Sequence, residues 1–429
     1  MKYLPIDSKL FIDNRKRFAA QLKPKSVAFF HSNDIMPTNA DGTMLFRQNN
    51  DLLYLSGIDQ EESILVLFPD AHEPQYREML FLRETNEYIA VWEGHKFTKP
   101  EARETSGIQT IYWLSDFEKI LPILMSEAEN VYLNTNEHTR AVIEVETRDA
   151  RFIKSCQARY PLHRYERSAP IMHRLRAIKS DIEVGLIQQA CNITEKGFRR
   201  LLGFVKPNVT EYEIEAELIH EFVRNRSKGF AYSPIIASGA NACVLHYIEN
   251  NQICKDGDLI LLDVAAEYAN YASDLTRCVP ANGRFSPRQK EVYNAVLRVM
   301  RKSIQRLVVG NNWIDYHKEV GAFMEEELVN LGLISLQDIK NQNPDVPAYK
   351  KYFMHGASHH LGLDVHDVGS KYHTFEAGMV FTCEPGIYIR EEGLGVRIEN
   401  NILITPDGNR DLMASIPVEV DEIEDLMNR

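Results

Sequence analysis

Several features that would announce a function are missing from this 429-residue sequence, and each absence removes a class of protein. The six cysteines (Cys156, Cys191, Cys243, Cys254, Cys278 and Cys383) are scattered and form no C-x-x-C pair. That excludes a cysteine-zinc ribbon and a dithiol redox motif, and in a chain of this length the thiols read as reduced core residues. The opening stretch MKYLPIDSKLFIDNRKRFAAQ lacks the apolar centre of a signal peptide. No segment approaches the ~18 to 20 consecutive apolar residues of a membrane span. The expectation is a cytoplasmic protein without a membrane partner. No Lys/Arg-rich run offsets the net charge of −12, which argues against nucleic acid as a partner. No glycine-rich loop follows an apolar run, so a nucleotide-phosphate cradle is not expected.

What remains is an ordinary globular composition, 44% hydrophobic and 26% charged. At roughly 150 residues per domain the length suits two or three domains. The first ~170 residues alternate short apolar runs with helical spacing. SVAFF (26–30), SILVLF (63–68), EMLFL (78–82) and NVYLN (130–134) read as buried strands, and YWLSDFEKILPILMSEA as a helix between them. This is an α/β pattern with short crossovers.

The texture changes near residue 173. HRLRAIKSDIEVGLIQQACNITEKGFRRLLGFV reads as one long helix. TEYEIEAELIHEFVRNR follows, with Thr210 and Glu213 at capping-box spacing and Ile214, Leu218 and Phe222 on one face. Ser286, Pro287 and Gln289 predict another helix start, and WIDYHKEVGAFMEEELVNLG a further helix. Strand pairs surround them: DLILLDVAAEY with YASDLTRCVP, and MVFTCEPGIYI with GVRIENNILIT. Helices segregated against antiparallel hairpins predict an α+β domain. The expected division is 1–172 and 173–429.

Four of the 14 histidines fall in HGASHHLGLDVHD: His355, His359, His360 and His366. Their partners are acids in strands. Asp263 ends DLILLD, and Asp274 lies on the returning strand. Glu384 interrupts VFTCEPGIYI, and Glu399 interrupts GVRIENNILI. A carboxylate in an apolar strand is costly unless something cationic compensates it. Each pair alone has a structural reading, as turn acids or as partners of Arg277 and Arg397. Two hairpins that each place two acids in apolar strands, together with imidazole, point instead to metal. An oxygen-rich set with one histidine suits Mn²⁺ or a related divalent ion, and four carboxylates suit two ions that share bridging ligands. The residues alone predict a dinuclear metal hydrolase.

HYIEN, LLDVAAEYANYASDLTR, HGASHHLGLDVHDVG, CEPGIYI and GVRIEN together resemble the pita-bread metallopeptidases, specifically the aminopeptidase P (Xaa-Pro aminopeptidase) family. FRQNNDLLYLSGIDQEESILVLFPD (46–70) is similar to that family's N-terminal domain. The resemblance implies a creatinase/prolidase-like α/β domain followed by a pita-bread catalytic domain. It implies metal ligation by Asp263, Asp274, His359, Glu384 and Glu399, with Asp274 and Glu399 bridging two divalent ions, Mn²⁺ first among them. It further implies catalytic roles for His246, His355 and His366, with Glu384 moving a proton, and substrate-side or supporting roles for Tyr388 and Arg397. His360 reads as a wall residue. The family's proline pocket takes a tryptophan from a neighbouring subunit, and Trp92 is similar to that residue, which implies a homodimer or homotetramer whose N-terminal domain restricts substrate access. The implied substrates are peptides with proline second, cleaved by a metal-bridged hydroxide. The alternatives are a prolidase with the same metal site and an inactive pita-bread module that binds peptides or proteins. Ala265 and Asn270 stand where relatives usually carry glycine, IENN replaces the commoner Ile-Glu-Asp, and AIKSD replaces a Lys-Ser-Pro.

Overall fold

A computed structural model describes residues 2–429. The chain divides into two compact units, residues 3–176 and 177–429.

The first unit is built on a six-stranded mixed sheet. Its strands are β1 (Ser26–His31), β2 (Ile64–Leu67), β3 (Glu78–Leu82), β4 (Thr110–Trp113), β5 (Asn130–Leu133) and β6 (Arg164–Arg167), in the order β4-β3-β2-β1-β5-β6. Strand β1 pairs antiparallel with β2 and parallel with β5. Alternate residues share a face. Val27, Phe29, Ile64, Val66, Met79 and Phe81 pack beneath helix Phe117–Glu127 through Phe117, Leu121 and Leu124. On the other face Phe30 meets Phe18 of helix Lys9–Ala19 edge-on, at 5.2 Å between ring centres. Burial on both faces explains why the strands read as unbroken apolar runs. Tyr112 and Trp113, expected in a helix, belong to β4, and the helix begins at Phe117.

The second unit carries the acid-bearing hairpins. Strands β7 (Ile235–Ser238), β8 (Leu259–Asp263) and β11 (Thr276–Pro280) form an antiparallel sheet in the order β11-β8-β7. The loop from β8 to β11 contains a small ribbon of β9 (Glu267–Tyr268) and β10 (Tyr271–Ala272). Its two-residue turn puts Ala269 and Asn270 at φ +54° and +68°. That left-handed requirement favours glycine at such a turn, and asparagine is among the few other residues that tolerate it. Strands β12 (Val380–Cys383), β15 (Asn400–Thr405) and β16 (Gly408–Asp411) form a second sheet, and β13 (Gly386–Ile389) pairs with β14 (Leu394–Arg397). Pro280 ends the edge strand β11, where its missing N–H breaks no inner ladder.

Helices Asp181–Leu202 and Glu211–Arg224 pack closely. A Cβ on Gly197 would lie 2.6 Å from the Phe222 ring, so glycine sets their approach. The single long helix expected over 173–205 is two helices, Ala169–Ala177 and Asp181–Leu202. The break comes from Ser180, whose side chain caps the second helix in a reciprocal box with Glu183. The capping boxes at Thr210–Glu213 and Ser286–Gln289 are present. All six cysteines are buried and free.

Candidate metal centre

Five polypeptide segments deliver the acids and the imidazole to one place in the second unit. Strand β8 ends at Asp263, and Asp274 precedes β11. Glu399 sits between β14 and β15, with its backbone N–H donating to the Thr276 carbonyl at 3.1 Å. Glu384 lies between β12 and β13, and His359 just before the short bridge of His360 to Phe381.

Ligand atoms of Asp274, His359 and Glu399 all lie within 4.8 Å of one another, a grouping able to hold a metal ion. His359 Nδ1 lies 2.9 Å from the His360 carbonyl, so it carries the proton and leaves the Nε2 lone pair facing the acids. Nε2 stands 3.4 Å from Asp274 Oδ2 and 3.6 Å from Glu384 Oε1. Glu399 Oε2 accepts from the Thr276 hydroxyl at 2.7 Å, while its Oε1 is buried without a hydrogen-bond partner. A buried orphan carboxylate oxygen beside other acids is what a missing cation would leave.

The electrostatics agree. Burial pushes Glu384 up to about 7, helped by the charges of Asp274 and Asp263 and opposed by His359 and Arg397. Burial likewise holds Glu399 well above the usual carboxylate range, with Asp274, Glu384 and Asp263 adding to it. Asp263 is raised by burial against the pull of Arg397. Burial opposes protonation of His359, but Asp274 and Glu384 outweigh it and raise its pKa.

Around this centre runs a chain of hydrogen bonds. Arg397, buried, donates from Nη2 to Asp263 Oδ2 at 2.6 Å, from Nη1 to the Tyr388 hydroxyl at 2.8 Å, and from Nε to Thr276 Oγ1 at 3.1 Å. The Tyr388 hydroxyl lies 2.8 Å from His355 Nε2, and His355 Nδ1 lies 2.7 Å from the Gly356 carbonyl. Burial, then the Arg397 charge, hold His355 down at about 3. The ring is therefore neutral, donating from Nδ1 and accepting from Tyr388. His366 is exposed, with its ring centre 4.3 Å from that of His359. His246 is exposed too, and near enough to His355 for its charge to act there. His360 is buried against Phe381 and Trp313, as a wall residue should be. Trp92 belongs to the other unit, on helix Glu87–Glu93, and is 73% exposed.

Asp263 differs from the other acids. Its Oδ1 accepts from the Tyr232 hydroxyl at 2.6 Å, and its Oδ2 faces Arg397. Sequence reasoning missed Tyr232, because FAYSP carries no motif and the contact spans 31 residues. It also missed Asn401. That side chain accepts from the Asp274 N–H at 3.0 Å and donates to the Asp274 carbonyl at 2.7 Å, fixing the backbone of the acid. The neighbouring Asn400 accepts from Arg277 at 2.7 Å and donates to Asp411 Oδ2 at 2.6 Å. An amide satisfies both partners, whereas an aspartate here would meet the Asp411 carboxylate with like charge.

Comparison with known proteins extends over the whole chain. Residues 185–406 match the profile of metallopeptidase family M24, and residues 11–132 that of the aminopeptidase P N-terminal domain. The chain is 36% identical over 430 residues to the Xaa-Pro aminopeptidase of Haemophilus influenzae, covering 97% of each chain. It is 33% identical to that of Escherichia coli, again over 97% of each. Among solved structures, Pseudomonas aeruginosa aminopeptidase PepP superposes with a TM-score of 0.89 at 33% identity, covering 100% of this chain and 99% of that one. A zinc-substituted E. coli aminopeptidase P in complex with product gives 0.88 at 32%, covering 99% of each chain.

Proposed function

From the premise that the chain belongs to metallopeptidase family M24, as a metalloaminopeptidase with a pita-bread catalytic domain, we propose that it releases the N-terminal residue from peptides whose second residue is proline. The observation that carries the reading is the cluster of Asp274, His359 and Glu399 with its orphaned Glu399 oxygen.

The residues fit a divalent metal centre. Asp263, Asp274, His359, Glu384 and Glu399 would hold two ions, with Mn²⁺ the best match to an oxygen-rich set. Such ions supply Lewis acidity to a peptide carbonyl and lower the pKa of water toward neutrality.

The protein's own groups do the rest. Glu384, with Oε1 3.6 Å from His359 Nε2, is the group we assign to protonate the leaving proline nitrogen. The exposed imidazoles of His366 and His246 would donate to substrate oxygen as charge develops there. The neutral His355 holds the Tyr388 hydroxyl in place between itself and Arg397. An Xaa-Pro bond offers no N–H, so the site must match the ring by an apolar surface rather than by a hydrogen bond. Trp92 is the candidate for that surface, from a neighbouring copy in a homodimer or homotetramer. Its exposure leaves it available for the role.

The test is an end-point assay on chelator-stripped protein given Mn²⁺, Co²⁺ or Zn²⁺, with Gly-Pro offered beside Arg-Pro-Pro. Metal-dependent release of arginine supports the proposal. Cleavage of the dipeptide alone would make the protein a prolidase, and no hydrolysis with any ion would leave a peptide-binding module.

A further inference from the structure

Residues 361–370 have no regular structure, yet they present His366 beside His359. What fixes such a loop is visible one residue further on. Asp367 points inward, its side chain 2% exposed, and its Oδ2 lies 3.0 Å from Lys179 Nζ, itself 1% exposed. Taking two charges out of water is expensive, and a buried ion pair rarely stabilises more than apolar residues of the same volume would. Its value lies in fixing one geometry.

The surroundings are built to that geometry. A Cβ on Gly362 would fall 2.1 Å from Asp367 Oδ2 and 2.9 Å from Lys179 Cε, so the loop backbone closes directly over the pair. The Asp367 N–H donates to the His360 carbonyl at 2.9 Å, beside His359. The Ala272 N–H donates to the Gly362 carbonyl at 2.8 Å, two residues before Asp274. Lys179 is anchored at its own end, with its N–H donating to Gly378 at 2.8 Å and Ser180 capping the following helix.

We infer that the Lys179–Asp367 pair is a positioning device that holds the His366 imidazole in its place beside the candidate metal centre. Neither residue touches substrate. They act through the backbone of one neighbouring residue, about 3.8 Å of chain from His366. This rests on the aminopeptidase reading for its catalytic consequence, and on geometry alone for its structural one.

Lys179→Met combined with Asp367→Leu tests it, because removing both charges leaves no lone buried ion to unfold the protein. The first readout needs neither metal nor activity. In chelator-treated protein the Cε1–H resonance of His366, assigned by its disappearance in His366→Gln, should be a single sharp signal in the parent and broadened or multiple in the double variant. The second uses Mn²⁺-loaded protein and Arg-Pro-Pro. Metal content should be unchanged and kcat should fall about 100-fold, the scale of a 1 Å misplacement, with KM much less affected. Added to His366→Ala, the pair of substitutions should cost no more than about twofold further, because both act through one group. Parent-like kcat, an unaltered His366 resonance, or losses that multiply in the His366→Ala background each overturn the inference. If the parent itself cleaves no peptide, the functional reading fails separately, and the His366 resonance alone decides.

Discussion

Arg397 is the cation paired with Asp263, and it lies buried near Glu399 and Glu384 as well, which makes Arg397→Met an informative perturbation. The guanidinium makes three hydrogen bonds, to Asp263 at 2.6 Å, Tyr388 at 2.8 Å and Thr276 at 3.1 Å, with its side chain 5% exposed. Methionine roughly fills the volume but leaves the buried Asp263 carboxyl without its cationic partner. Breaking a buried pair from one side costs about 3–5 kcal/mol. For a unit of about 250 residues, each kcal/mol moves the midpoint by about 2–4 °C, so metal-free Arg397→Met should melt about 6–20 °C lower. The reasoning makes a second, sharper claim. The cost lies in the abandoned charge, so Asp263→Asn on top of Arg397→Met should recover part of the loss, since asparagine still accepts from Tyr232 and carries no charge. Thermal unfolding of chelator-treated protein followed by circular dichroism reads both. A single variant within about 1 kcal/mol of the parent, or a second substitution that adds its own loss, would refute the argument that uncompensated charge governs this site.

Metal affinity should depend steeply on pH. A carboxyl raised to about 7 keeps a proton that a cation must displace, so Mn²⁺ affinity should fall about tenfold from pH 8 to pH 6 through Glu384 alone, where a carboxylate at its usual value would change it negligibly. Titration calorimetry in two buffers of different ionisation enthalpy counts the released protons, and flat affinity with no release would contradict it. Asp274→Asn or Glu399→Gln should remove bound metal and turnover together, by at least the roughly 100-fold that loss of a mere supporting partner reaches, measured by metal analysis beside peptide hydrolysis. Asn401→Ala strips both backbone hydrogen bonds from Asp274 and should weaken metal binding about 10–100-fold while the ligand itself is intact. Unchanged affinity there would mean the Asp274 backbone is held by other means.

The sequence displayed the acids of this site more clearly than what holds them. Glu384 and Glu399 stood out because an acid in an apolar strand violates the local pattern, and such violations mark places where function overrides packing. Both faces of the first unit's sheet were legible as apolar runs for the same reason, since burial writes itself into composition. The long helix over 173–205 was misread because periodicity runs through the break at Ile178–Ser180. The decisive signal was Ser180 with Glu183, a capping box hidden inside an apparently continuous pattern.

Tyr232, Asn401 and the Lys179–Asp367 pair left no such trace. Each is an ordinary polar residue in its own segment, and its meaning lies in a partner 31, 127 and 188 residues away respectively. Local sequence can show that a buried acid needs compensation, because that cost belongs to the acid. It cannot show which distant donor meets it, because that choice belongs to topology. The supporting residues of a centre like this one are therefore read from the fold. The amide at Asn400 becomes intelligible only when Arg277 and Asp411 are seen on either side of it.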